Sequence, residues 1–236
     1  MSARFEELDW RPTPMGEISL RRRRDPLSGE DVYEVKLGDE FLMSSLFTVA
    51  EIELARLGLA AAKGEQLDVV VGGLGLGCTA RAALEDPRVR SMVVVDAMAE
   101  VIDWHERELL PESADLMRDP RTRLLHDDFF ALAASDEGFD PDDPGRTFDA
   151  VLLDIDHTPH HLLHPDHAPF YSEDGLRRLT THLRAGGVFA LWSDDPPDEQ
   201  FSALLDRVFD HVDAHVVSFA NFLTGGESSN TIYVAR

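Results

Sequence analysis

Acidic residues recur at matching places along this chain. Asp96 closes VVVD, Asp127 and Asp128 close RTRLLHDD, and Asp154 and Asp156 close FDAVLLDID. Each follows a short apolar run. Carboxylates in such positions can accept ribose hydroxyls, hold a cation or take a proton from a nucleophile. Ahead of them stands GLGLGCT, with Gly73, Gly75 and Gly77 between the apolar LDVVV and the helical TARAALED. Glycine permits the sharp turn and lets a ligand approach the backbone, and the first N–H groups of the next helix are free to meet it. Asp96 lies 23 residues beyond Gly73, which is the place of an acid that grips a ribose.

Two other clusters could do chemistry. DIDHTPHHLLHPDH gathers His157, His160, His161, His164 and His167 among acids. Imidazole and carboxylate suit zinc, iron or nickel. Pro159 and Pro165 argue for a loop, so the segment reads as a pocket lid or solvated loop, and no metal is assigned. Cys78 has no base beside it in sequence and reads as a small packing residue. A single cysteine excludes an internal disulfide and suits a reducing cytoplasm.

The elements that must hold these residues are legible in outline. Strands at LDVVV, SMVVVD, RTRLLHDD, FDAVLLDID and GGVFALWS alternate with helices at TARAALED, AEVIDWHERELL, YSEDGLRRLTTHL and DEQFSALLDRVF. That alternation predicts a parallel sheet with helices on both faces, and Ser172 is an N-cap candidate. AHVVSFANF and NTIYVAR, joined by a short glycine turn, predict an antiparallel ending. Upstream, EISLRRRR, VYEVKL and EFLM are divided by the turn signals DPLSGE and GD and predict a small antiparallel sheet. SSLFTVAEIELARLGLAAAK predicts a helix capped by Ser44 or Ser45, with Phe47, Ile52, Leu54, Ala55, Leu57 and Leu59 on its apolar face. The expected organisation is an N-terminal β region plus helix over 1–63 and an α/β ligand-binding domain over 64–236. The run Arg21 to Arg24 reads as a solvated sheet edge, and DEGFDPDDPGR as a solvated, mobile acidic loop.

Composition narrows the partners. The chain has 236 residues, 43% of them hydrophobic, enough for a buried core, and a formal charge of -23. Repulsion of that size argues against non-specific nucleic-acid binding and against anionic membranes, while a cationic small molecule is attracted. The plainer reading of the charge is solubility. No run reaches transmembrane length, and MSARFEELDW lacks a signal pattern, so a cytoplasmic location is expected.

Over about residues 67 to 195, the ordered set GLGLGCT, VVVDAMAEVI, HDDF, FDAVLLDIDHTP, FYSEDGLRRL and LRAGGVF resembles the spermidine synthase family of polyamine aminopropyltransferases. The resemblance implies a Rossmann-like class I methyltransferase fold, a mostly parallel seven-stranded sheet with helices on both faces. It implies S-adenosylmethionine or its decarboxylated form as co-substrate, bound by Gly73, Gly75, Leu76, Gly77, Asp96, Ala97, Asp127 and Asp128, with Asp128 nearest the adenine. It implies Asp154 and Asp156 as catalytic acids, His157 and Tyr171 at the acceptor, a small cationic amine as partner, and leaves a homodimer open. The chain also departs from the family. Leu76 stands where the family's loop acid holds the aminopropyl ammonium, His157 falls on the second acid of the fourth-strand motif, and the family's Tyr-His pair is missing near VAEIE. Methyl transfer to an amine therefore stands level with aminopropyl transfer. The alternative is a non-catalytic nucleoside-binding or interaction protein of the same fold. The G-x-G-x-x-A form of GLGCTA keeps a NAD-dependent oxidoreductase as a third reading.

Overall fold

FEELDWRPT, GEISLRRRR, DVYEVKL and EFLMS pair in chain order as β1 (Phe5–Thr13), β2 (Gly16–Arg24), β3 (Asp31–Leu37) and β4 (Glu40–Ser44), an antiparallel sheet. β1 was not expected, because its alternation is weak and it carries Pro12. Its presence corrects the reading of the arginine run. β2 is an inner strand, not an edge, and acids on its neighbours receive the arginines: Arg22 meets Glu6 at 2.5 Å and Arg23 meets Glu34 at 2.6 Å. Opposite charges across strands are favourable pairs, which is how a basic strand can be enclosed. The computed structural model describes residues 5–26 and 29–236. Residues 1–4 of the stretch read for a targeting signal, and residues 27 and 28 of the expected DPLSGE turn, lie outside the described residues.

Helix α1 (Val49–Ala61) follows. Ser45 does not cap it; its hydroxyl accepts the Tyr33 N–H at 2.9 Å, and the N-cap position falls to Thr48, without a side-chain bond. The helix packs on the larger sheet rather than on β1–β4. A Cβ at Gly58 would lie 2.6 Å from Leu152 and 3.1 Å from Ala190, so the backbone itself touches the sheet.

The larger sheet is built from β5 (Leu67–Gly72), β6 (Val89–Asp96), β7 (Thr122–His126), β8 (Phe148–Leu153), β9 (Leu183–Ser193), β10 (Val212–Asn221) and β11 (Gly226–Ala235). Its order is β10-β11-β9-β8-β5-β6-β7, with β11 antiparallel to both neighbours and the other pairings parallel. Every residue of β5 is buried, as expected of a strand covered on both faces. This is the class I methyltransferase fold. α2 (Cys78–Leu84), α3 (Ala99–Glu106) and α4 (Ser113–Arg118) join α1 on one side of the chain's core. α5 (Phe129–Ala134), α6 (Glu173–Thr180) and α7 (Glu199–Leu205) form the other, with Ser172 capping α6 through the Gly175 N–H. The expected helix through AEVIDWHERELL ends early, where Glu108 turns to φ 54°. No helix among the described residues is long and apolar enough to cross a membrane.

The acidic stretch from Asp136 to Arg146 is anchored at its centre and end rather than solvated throughout. Phe139 is fully buried and stacks on Phe129, and Asp140 meets both Arg123 and Arg146 at 2.7 Å. Arg146 reaches on to Asp68 at 3.0 Å, where Arg90 and Arg184 also converge. Burial alone would raise the Asp68 carboxyl, but bonds from Arg90, Ser91 and Arg184 outweigh it and hold it well below the usual range. A depressed carboxyl stabilises the fold above its unfolded value of about 3.9, and that support is lost as pH falls toward the folded value. Asp68→Asn should therefore cost stability at neutral pH. The cost should be about 2–3 kcal/mol, below the figure for a fully buried pair because the arginines can rehydrate. Urea unfolding should show the gap between wild type and variant shrinking by about pH 3; a gap independent of pH would show that Asp68 is not stabilised as an anion.

Candidate active site

The parallel register gathers the sequence acids on one rim. Gly72 pairs with Val95 and with Leu153, and Asp96 pairs with His126, so β5, β6, β7 and β8 end level with one another. The glycine loop, Asp96, Asp128 and Asp154 therefore meet. Gly73 has φ 93°, and a Cβ there would lie 2.1 Å from the Asp154 carbonyl oxygen, so no other residue fits. A cavity of about 360 Å³ opens above this rim, within the usual range for small-molecule sites. The N-terminal sheet roofs it with Ile18, Val35, Leu42 and Met43.

Asp96 grips the loop before any ligand does. Its Oδ2 accepts the N–H of Leu74 at 2.9 Å and of Gly75 at 3.5 Å, and Oδ1 accepts the N–H of Met98 at 2.8 Å. Burial nevertheless raises its carboxyl above the ordinary value. Behind the loop, His105 is fully buried: its Nε2–H donates to the Gly75 carbonyl at 2.9 Å, and Ser113 Oγ lies 3.1 Å from Nδ1. Burial lowers this imidazole, which keeps it neutral.

Thr79 Oγ donates to Asp154 Oδ2 at 2.7 Å, and Oδ1 has no partner among the described residues. Across from it stands Glu51 of α1, whose carboxylate meets no side-chain donor among the described residues. Burial pushes Asp154 up to about 6, opposed by the Thr79 bond. Burial and then the charge of Asp154 push Glu51 up to about 8. Cys78 is pushed up to about 12 by burial and by these two acids, which rules out a thiolate nucleophile.

The cavity wall includes Gly73, Gly75, Leu76, Asp96, Ala97, Asp128, Asp154 and His157 of the expected site residues. His157 Nε2 also lies 3.3 Å from Glu40 of the roof. Four expected residues are placed elsewhere. Asp156 is 1% exposed and accepts bonds from the Leu163 N–H, His167 Nδ1 and Tyr171 Oη, so it braces a loop and does not reach the cavity. Tyr171 is spent on that bond. Asp127 is exposed and accepts the Asp128 N–H, and Gly77 serves as the left-handed N-cap of α2. The five histidines of the 157–167 segment are divided among Glu40, Asp198, Asp166 and Asp156, with His157 and His161 both near Glu40, and no three potential ligands among the described residues could hold a metal ion. Sequence reasoning missed Glu51 and Trp192, both on the wall, and gave His167 only as one member of the histidine cluster. Glu51 was detectable in principle, as an acid one helical turn from buried Leu54 and Ala55.

No model of a known protein family matches the chain. It is 28% identical over 173 residues, 69% of its length, to polyamine aminopropyltransferase 2 of Pseudomonas aeruginosa, and covers 45% of that protein. It is 30% identical over 126 residues, 53% of its length, to the polyamine aminopropyltransferase of Corynebacterium efficiens, and covers 22% of it. The chain thus spans less than half the length of these curated relatives. Spermidine synthase from Thermotoga maritima superposes with a TM-score of 0.71 at 15% identity, over 97% of this chain and 72% of that one. A spermidine synthase in complex with the transition state analogue AdoDATO superposes equally well, with 71% of it covered.

The chain is spermidine synthase-like. Within the spermidine synthase-like fold, Glu51 occupies the VAEIE segment, from which the family's Tyr-His pair is absent, and Leu76, only 8% exposed, joins the apolar wall. The support Asp96 gives the loop can be measured directly. Asp96→Ala leaves three N–H groups without their acceptor and should cost roughly 1–3 kcal/mol. Amide exchange should accelerate at Leu74, Gly75 and Met98 while Val69 to Val71 stay protected; unchanged exchange at those three amides would show that the loop stands without Asp96.

Proposed function

We propose that this chain binds decarboxylated S-adenosylmethionine and transfers its aminopropyl group to a small amine. One observation carries the reading. The cavity wall presents Glu51, Asp96, Asp128, Asp154 and Asp166 and, among the described lining residues, neither lysine nor arginine. Such a wall suits a ligand that carries a sulfonium and an ammonium. The carboxylate of intact S-adenosylmethionine would meet no cationic side chain there, and burying it beside other acids is costly. Glu51, held toward its neutral form by burial and by Asp154, can ionise against the ligand's ammonium and so supply the charge that Leu76 lacks, from a different element of the chain. That tips toward aminopropyl transfer a balance that the sequence left level. The names of the two curated relatives support the same choice.

When bound, the ligand supplies an electrophilic carbon beside a sulfonium and a thioether leaving group. The chain's residues do the rest. Asp96 offers its remaining lone pairs to a ribose while its bonds to the loop keep it in place. Asp154, oriented by Thr79, takes the proton that the amine nitrogen sheds as nitrogen bonds to carbon and the carbon–sulfur pair returns to sulfur. Glu51 faces the ammonium of the ligand's tail. With Asp154 titrating at about 6, its carboxylate is available as a base at neutral pH.

Incubation with decarboxylated S-adenosylmethionine and a diamine should release methylthioadenosine. Release of S-adenosylhomocysteine from intact S-adenosylmethionine instead would make the protein a methyltransferase. Asp154→Asn should keep nucleoside binding and lose about 10²–10⁴-fold in turnover, the scale of a general base; near-normal turnover would reduce Asp154 to a structural acid. Glu51→Gln should weaken binding of decarboxylated S-adenosylmethionine about tenfold or more relative to methylthioadenosine, which has no tail ammonium. Equal weakening of both ligands would mean that Glu51 does not face the tail.

A further inference from the structure

His167 differs from the other histidines of its segment. His157, His160, His161 and His164 approach Glu40, Asp198, Glu40 and Asp166 at or near the surface. His167 has a side chain only 12% exposed, and its partner Asp156 is fully enclosed. Nδ1 lies 2.8 Å from Asp156 Oδ1, and the ring stacks on Phe130 with centroids 3.9 Å apart and planes 21° apart. Asp156 is itself immobilised by the Leu163 N–H and the Tyr171 hydroxyl. Burial and the adjacent Asp156 charge raise Tyr171 well above its ordinary value, so its hydroxyl keeps its proton and donates.

A carboxylate can only accept, so the proton of the neutral imidazole belongs on Nδ1. In that neutral form Nε2 is a bare acceptor. It has no partner among the described residues, and His167 lines the cavity. Its position follows from the stack: Phe130 is the second residue of α5, the helix that follows β7. Asp128 shares that wall, with Oδ1 already taken by the N–H groups of Phe130 and Ala131. Asp166 is the third polar group there, again acceptor-only. His164 sits at the rim, with its side chain 49% exposed. The sheet order runs β5, β6, β7. A ribose held by Asp96 at the end of β6 therefore sends its base over the end of β7. This step rests on the nucleoside reading given above.

We propose that His167, with its tautomer set by Asp156, binds the exocyclic amino group of the base and rejects a base that carries oxygen there. An amino group donates to Nε2. An oxo group would set one acceptor against another and leave both unpaired, the arrangement by which sites discriminate most sharply. Asp156 acts here as a positioning residue, through the imidazole it orients.

Calorimetric titration of the full chain with methylthioadenosine and methylthioinosine tests this. Wild type should bind the amino compound at least about tenfold more tightly. His167→Leu should bring the ratio below about threefold, because the acceptor that faces the exocyclic group is removed. His167→Gln, whose amide can turn either its oxygen or its nitrogen inward, should bind both compounds. Equal affinities in wild type, or a ratio unchanged in His167→Leu, would overturn the inference and leave the nucleoside site standing. Failure of wild type to bind either compound would overturn both. Imidazole nitrogen shifts give a readout that needs no ligand: His167 should carry its proton on Nδ1, and a proton on Nε2 would refute the assignment.

Discussion

The contact between Gly73 and the Asp154 carbonyl governs the rest of the site. A side chain at residue 73 would occupy the same space as that carbonyl, so the glycine loop can lie down on the end of β8 only because it has none. Once it does, Asp154 faces the loop, Thr79 comes within reach of its carboxylate, and α2 starts in the direction that carries Thr79 there. Asp96 locks the same loop from the other side through backbone N–H groups. Two carboxylates separated by 58 positions in the chain are thus placed by a single turn.

The two ends of the large sheet handle buried charge in opposite ways. At the amino ends of the strands, Asp68 is met by Arg90, Arg146 and Arg184, and its ionised form is secured. At the carboxyl ends, Asp154 and Glu51 share a cavity with no cationic side chain among the described residues that line it. Uncompensated acids in a partly dry site are pushed toward the neutral form, and both are. The first arrangement adds stability and the second leaves a deficit that a cation can satisfy. A bound ammonium would recover in binding what the apo fold forgoes.

The roof makes that deficit effective. β2, β3 and β4 bring apolar side chains over the rim, and the sheet is tied down at a distance by Trp104, whose indole N–H donates to Asp9 at 2.7 Å. Apolar cover removes water from around the acids and strengthens every electrostatic interaction beneath it. His157 and Glu40 join roof and rim directly.

The large sheet was legible because its signals are local and repetitive. Runs such as LDVVV and SMVVVD, short and rich in β-branched residues, read as strands covered on both faces, and acids at their ends fall on one rim once the strands are parallel. The resemblance to spermidine synthases rested on the same ordered residues. What stayed hidden depended on partners distant in sequence. β2 became an inner strand as acids on β1 and β3 neutralise Arg22, Arg23 and Arg24. The loop from Asp136 to Arg146 is anchored because Phe139 and Asp140 find partners distant in sequence. Asp154 and Asp156 have the same residue type and sit two positions apart, yet one opens on the cavity and the other is sealed behind it. Glu51 reads in sequence as one more helical acid. Only the crossing of α1 over β8 and β9 turns it toward Asp154, since the direction of a side chain on a helix is set by what the helix packs against, and that is a property of the assembled layers.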